Sequence, residues 1–185
     1  MIKKTNKLTF SIEHVLIFLL SIAIAVSAIY LIGSFSKDPE FVYGMIAIAF
    51  IPPAGKESVI PAMVFRGIEA PIIFSIIVFS DIAACFIVLS SFEIVNYIAG
   101  RVKFLEKLLN KSKKKSEFAR KHGLLHVGLG AFMFIPFQGT GSIATSFLAQ
   151  IFGVKKWRTV LIVLIGSTAS TIFFLGISLG LFELI

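Results

Sequence analysis

The sequence predicts an all-α integral membrane fold: three transmembrane helices plus two opposed re-entrant helical hairpins in an inverted repeat. Three observations carry this expectation. The 185 residues are 57% hydrophobic and 15% charged, with mean hydropathy +0.94, which is more apolar side chain than one soluble domain of this size can hide. Only three apolar runs are long enough to cross a bilayer unbroken. The remaining apolar length lies in half-length arms around two Pro/Gly breaks.

These proportions argue against a soluble enzyme, a secreted disulfide scaffold and a nucleic-acid-binding module. The single cysteine, Cys85, lies within an apolar run where packing is the default role. The net charge of +8 is concentrated, since residues 101–122 hold nine Lys/Arg against Glu106 and Glu117, a net +7. Such clustering fits cytoplasmic orientation and attraction to anionic lipid heads better than nucleic acid.

Residues 1–185 are expected to form one membrane domain. The first transmembrane helix is placed at 12–33, where VLIFLLSIAIAVSAIYLI carries no charge and follows Lys3, Lys4 and Lys7. AVSA would suit a signal-peptide cleavage site, but the apolar stretch is longer than a usual signal core. After the polar link 34–40 comes the first re-entrant hairpin, 41–67. Its arm Phe41–Ile51 is about 16 Å long as a helix, half a hydrocarbon core. Pro52, Pro53 and Gly55 break it before the second arm, Ser58–Phe65.

A full crossing follows at 70–100, containing Asp81 and Glu93, and runs into the basic amphipathic segment 101–122. The second hairpin, 124–153, is broken at Pro136 and Gly139, and a last uncharged crossing is expected at 159–183.

A shift of 84 residues lays FIPPAGKES (50–58) over FIPFQGTGS (134–142), with five identities in nine. Each broken unit is followed by a full crossing, and paired interruptions of this kind point to the substrate site of a repeat-built transporter. With the N-terminus inside and both breaks as hairpins, fifteen of the eighteen Lys/Arg fall on the cytoplasmic side, and the C-terminus lies outside. Two full, kinked crossings in place of the hairpins would instead put the basic groups at 101–121 and 155–158 on opposite sides.

Ser58 and Ser142 follow the breaks where helix N-caps would sit, so two helix N-termini would converge near the membrane centre. Lys56, Arg66, Gln138, Gly139, Thr140 and Gly141 join them as the expected substrate-binding set. Glu57 and Asp81 are the candidates for proton exchange, because an ionisable residue at such depth is costly. The structural alternative is that Lys56 and Glu57 neutralise each other or Asp81 and hold the hairpin's shape. Ser167, Thr168, Ser170 and Thr171 reach a similar depth on the last crossing.

His122 and His126 have the spacing of a metal pair but no adjacent carboxylate, so no metal is expected, and no cofactor either. Asn110-Lys111-Ser112 is a glycosylation triplet on the expected cytoplasmic side. Tyr30, Tyr43, Tyr97 and Trp157 read as interfacial anchors. No nucleophile and base pair, phosphate loop or nucleotide fingerprint stands out, and no enzymatic activity is expected.

The segments PPAGKESVIP (52–61), with Gly67 after it, and IPFQGTGSIATSFLAQIFG (135–153) resemble the small multidrug export protein family, itself similar to the DedA/VTT (SNARE-associated) membrane protein superfamily. The resemblance covers roughly residues 41–180. It implies two re-entrant hairpins facing each other and, from the superfamily, movement of lipids or polyprenyl-phosphate carriers between leaflets. Glu57 matches that superfamily's acidic position. Its arginine after the second Pro-Gly has no counterpart, and Gln138 and Thr140 stand in that region.

The expected function is thus a DedA-like transporter in the cell membrane that translocates an anionic lipid or polyprenyl-phosphate-type amphiphile, with proton coupling as an added expectation, membrane lipids as its surroundings and self-association left open. The rivals are a small exporter of lipophilic cations, with Glu57 or Asp81 as counter-ion, and a non-transporting scaffold that gathers partners through 101–121.

Overall fold

The computed structural model describes residues 12–50, 55–99, 124–133 and 141–182. Seven helices are found among them: α1 Ile12–Gly33, α2 Pro39–Ala49, α3 Lys56–Phe65, α4 Ala70–Ala99, α5 Leu124–Phe132, α6 Ser142–Ile151 and α7 Lys156–Phe182. No strand occurs among the described residues. Three stretches, Leu16–Gly33, Ala70–Phe92 and Lys156–Gly180, are long and apolar enough to cross a membrane. The segment 101–122, with Asn110 and His122, lies outside the described residues. So do Pro52, Pro53, Pro136, Gln138, Gly139 and Thr140, and the side chains of His126 and Tyr97.

Helix α4 is the hub. It packs against α1, α3, α6 and α7. Over half of its apolar window is buried, against 11% for α1, whose Leu16, Leu20 and Ile24 face outward as lipid-facing side chains would. One apolar cluster joins Val42 and Ile46 of α2, Val59, Ile60 and Met63 of α3, and Ile73, Ile76 and Ile77 of α4. A second joins Cys85 and Leu89 of α4 to Met133 and Val163, so the Cys85 thiol is a packing group here. The chain approaches itself closely where Tyr43 lies over Gly33, since a Cβ there would meet the tyrosine ring. The two tyrosine rings, Tyr30 and Tyr43, stack at 5.5 Å, and Tyr43 Oη donates to the Tyr30 carbonyl at 2.7 Å.

Several boundaries differ from the expectation, each for a local reason. Helix α2 starts at Pro39, two residues before the expected arm. Asp38 caps it by accepting from the Phe41 N–H at 3.3 Å, Pro39 occupies the first turn and Glu40 follows, a favourable order for a helix start. Helix α7 starts at Lys156 instead of 159, since Lys156, Trp157 and Arg158 are exposed and can stay solvated within its first turn.

The expected N-caps are also corrected. Gly55 and Gly141 cap α3 and α6, both in extended conformation. Ser58 is the third residue of α3 and reaches back, accepting from the Gly55 N–H at 3.3 Å and donating to the Gly55 carbonyl at 2.9 Å. Ser142 is the first residue of α6, and it is buried.

Those caps lie 86 residues apart, and the same interval recurs. It separates the left-handed glycines that end the two helices, Gly67 (φ 77°) and Gly153 (φ 70°). Ile68 N–H bonds back to the Met63 carbonyl and Val154 N–H to Ala149, so both ends are Schellman motifs with a buried apolar residue after the glycine. Helices α4 and α7 then begin at Ala70 and Lys156. The register between units is therefore 86, not 84, because the second break holds two more residues between its Phe and its capping Gly. A string match aligns the breaks, whereas packing aligns the helices.

Candidate functional site

Asp81 is the middle residue of the apolar stretch Ala70–Phe92, and Ser167 lies next to the middle of Lys156–Gly180. Helix α3 brings a third group there from its first turn. Lys56 Nζ lies 3.1 Å from Asp81 Oδ2 and donates to Ser170 Oγ at 2.7 Å. Ser167 Oγ donates to the same carboxylate oxygen at 2.5 Å. The Lys56 and Asp81 side chains are only 11% and 16% exposed, so the pair is desolvated and survives because each charge has its partner and a hydroxyl.

The two helices packed against α4 at this level carry further buried hydroxyls. Ser142, Thr145 and Ser146 of α6 and Ser167, Ser170 and Thr171 of α7 are all buried. Among the described residues Thr171 Oγ1 has no hydrogen-bond partner, and Ser146 has the Cys85 thiol as its neighbour. Small hydroxyl residues let helices approach closely in a membrane, and Gly166 permits the same where Met133 of the α5 end lies against α7.

Glu57 follows Lys56 but takes no part in its ion pair. Its side chain curls back over Gly55, where a Cβ would fall 2.7 Å from the Glu57 carboxyl carbon. Among the described residues it forms no salt bridge. Pro61 lacks the N–H that would bond the Glu57 carbonyl four residues earlier, so that backbone acceptor also lacks its regular helical donor.

Arg66 is not brought to this cluster. It stands at the other end of α3, about 15 Å along the axis from Lys56. Both Nε (2.9 Å) and Nη2 (2.8 Å) donate to Asp38 Oδ2, and its guanidinium lies over the Phe41 ring at 5.5 Å. These bonds, the Arg66 one first, hold the Asp38 carboxyl below its ordinary value. Lys37 and Glu69 pair nearby at 3.6 Å.

Of the sequence-expected site residues, the structure thus joins Lys56 to Asp81, sets Glu57 beside Gly55, uses Ser58 to fix the α3 start and ties Arg66 to Asp38. Gly141 and Ser142 begin α6, which packs on α4. Ser167 and Ser170 had been placed at this depth by counting along the helix. Their bonds to Asp81 and Lys56 carried no local sequence signal. The Ser146–Cys85 contact was likewise unmarked.

Residues 57–173 match the sequence model of a family described as "Putative small multi-drug export protein". Among curated proteins and solved structures no significant match was found.

Proposed function

The chain belongs to the small multi-drug export protein family, and from that membership we propose that this multi-pass membrane protein exports lipophilic cations, with Glu57 as their counter-ion. One observation carries the reading. The Lys56 ammonium is already neutralised by Asp81, which leaves the Glu57 carboxylate as the charge at the first break without a cationic partner among the described residues. Lys56, Glu57 and Asp81 together carry one net negative charge, and the Glu57 carbonyl, which lacks its regular helical donor at Pro61, adds a second acceptor. A half-buried carboxylate set at a break between apolar helix arms favours a cation with an apolar body.

The breaks are read as tips of re-entrant hairpins, one from each face. Helices α2 and α3 have 11 and 10 residues, each about half a hydrocarbon core in length. Helix α3 packs on α7 while α6 packs on α4, a reciprocal exchange that supports an inverted pair of units. The N-terminus and 101–122 are assigned to the cytoplasm and the C-terminus to the outside, from the basic residues. Proton coupling is assigned to Glu57, which would take a proton as the cation leaves. Asp81, engaged by Lys56 and Ser167, is the less available acid in this state.

A second reading keeps an anionic lipid as substrate. Helix α6 supports it, since its first turn has no acid and its N-cap no side-chain hydrogen bond, leaving N–H groups and a positive dipole end. Proteoliposome flux separates the two. Uptake of a tetraphenylphosphonium-type cation should be strong and should fall at least tenfold in Glu57→Gln, with its pH dependence flattened. Flux of labelled anionic lipid alone would establish the second reading, and flux of neither probe would favour the scaffold.

A further inference from the structure

We propose that Asp81, Ser167 and Ser170 form a monovalent-cation site in which the Lys56 ammonium is the resident, tethered cation. The geometry around Nζ is that of a small cation among oxygens: Asp81 Oδ2 at 3.1 Å and Ser170 Oγ at 2.7 Å. Ser167 supplies two more oxygens close by. Its hydroxyl touches the same carboxylate oxygen, and its carbonyl accepts from Ser170 Oγ at 3.2 Å. Carboxylate, hydroxyl and carbonyl oxygens form a hard donor set suited to metal cations that hold no soft ligands.

Charge balance fixes the class. The site offers one carboxylate in a low-dielectric setting, so a single positive charge neutralises it and a divalent ion would leave a buried excess. Glu57, the adjacent acid, points back over Gly55 and is not engaged in the cluster.

A second observation points to an occupant. Thr171 lies one helical turn beyond Ser167 on the same face of α7, and it is fully buried with its hydroxyl unpartnered among the described residues. Ser146, equally buried, has the Cys85 thiol as its hydrogen-bonding neighbour, one turn from Asp81 on α4. Since Cys85 packs against Val163, α4 and α7 run antiparallel through the Asp81–Ser167 contact. Thr171, whose hydroxyl has no partner among the described residues, and Ser146 therefore flank that contact from opposite sides. Buried polar groups are rarely left without a partner unless water or an ion serves them. Together they extend the oxygen-lined track in both directions from the site.

Sodium ion therefore competes with Lys56 for Asp81. When the α3 tip withdraws, carrying Lys56 away, a free cation takes its place and keeps the carboxylate neutralised. This site shares the Lys56–Asp81 pair with the export reading above, which describes the state in which Lys56 is seated.

The test uses the full chain in detergent, at mildly alkaline pH, with sodium chloride or choline chloride at equal ionic strength. Lys56→Met should melt well below the wild type in choline and recover most of the deficit, saturably, as sodium replaces choline. Lys56→Met/Asp81→Asn should show no difference between the salts. Lys56→Gln, which keeps a hydrogen-bonding head, serves as the second variant. Should either be recovered as a monodisperse protein only in sodium, that also supports the site. Equal melting in both salts, recovery on acidification alone, or failure of both variants to fold in sodium would overturn it. None of these readouts depends on transport, so a failed flux assay and a failed cation test remain distinguishable.

Discussion

Ser167 donates a hydrogen bond to Asp81 at 2.5 Å across exactly the interval, 86 residues, that separates the two capping glycines, the two Schellman glycines and the starts of the two long helices. The contact thus joins equivalent positions of two successive units. It marks where the units meet, and at that place one unit carries an acid and the other a hydroxyl. Lys56 has Ser142 at its own equivalent position, so the charge lies on one side only.

The Lys56–Asp81 pair predicts strong coupling in a double-mutant cycle. Lys56→Met or Asp81→Asn alone should cost about 3–5 kcal/mol, because each strands a desolvated group, whereas the double variant should return close to wild type. Equilibrium unfolding in mixed micelles reads this, and additive losses would show that the two groups are not coupled.

At the C-terminal end of α3, the exposed pair Asp38 and Arg66 predicts a pH dependence of its own. The folded carboxyl is held below its reference of 3.8, by the Arg66 bond first and the Phe41 N–H second. Its contribution is therefore fully present above 3.8 and is lost as pH falls through the lower folded value. Amide exchange at Phe41 and Val42, corrected for intrinsic rate, should stay constant from neutrality down to 3.8 and rise below it. Asp38→Asn should show the raised exchange at neutrality, and high salt should weaken the wild-type protection, since both side chains are accessible.

Gly67 has φ 77° and open space around its Cα, so a side chain there meets backbone strain and no neighbour. Gly67→Ala should destabilise by about 1–2 kcal/mol without altering ion-pair behaviour. A lowered melting temperature with an unchanged double-mutant coupling energy checks it.

Gly55 isolates the role of Glu57 from the role of the helix start. A Cβ at Gly55 would displace the Glu57 carboxylate, which is the end of a flexible side chain, so the fold should tolerate Gly55→Ala within about 1 kcal/mol. The apparent KM for a lipophilic cation should rise severalfold while the melting temperature changes little. An unchanged KM would remove the carboxylate's position from the account of binding.

The short apolar helices, the three long apolar helices and the place of Asp81 at the middle of one of them were legible because they follow from run length, hydropathy and rise per residue along one segment. The break residues marked the arms for the same reason, since Pro and Gly act locally. The cap positions were misjudged by up to three residues because a serine at the third helical position can serve the helix start as well as one at the cap itself. The repeat was visible, but its register was not, because identity in the breaks says nothing about the two extra residues that the second break holds before its capping glycine.

The sequence by itself therefore determined a membrane protein of three long apolar helices with two interrupted units, since burial of apolar length is a property of each segment. Only the tertiary structure decided which charge each ionisable residue faces: Lys56 went to Asp81, Arg66 to Asp38, and Glu57 was left without a cation among the described residues. Those pairings depend on helices up to 114 residues apart in sequence, as Lys56 and Ser170 are, being brought together by close packing. An ion pair a few ångströms long cannot be read from hydropathy, because that pattern fixes depth in the membrane and leaves the neighbour at that depth unspecified.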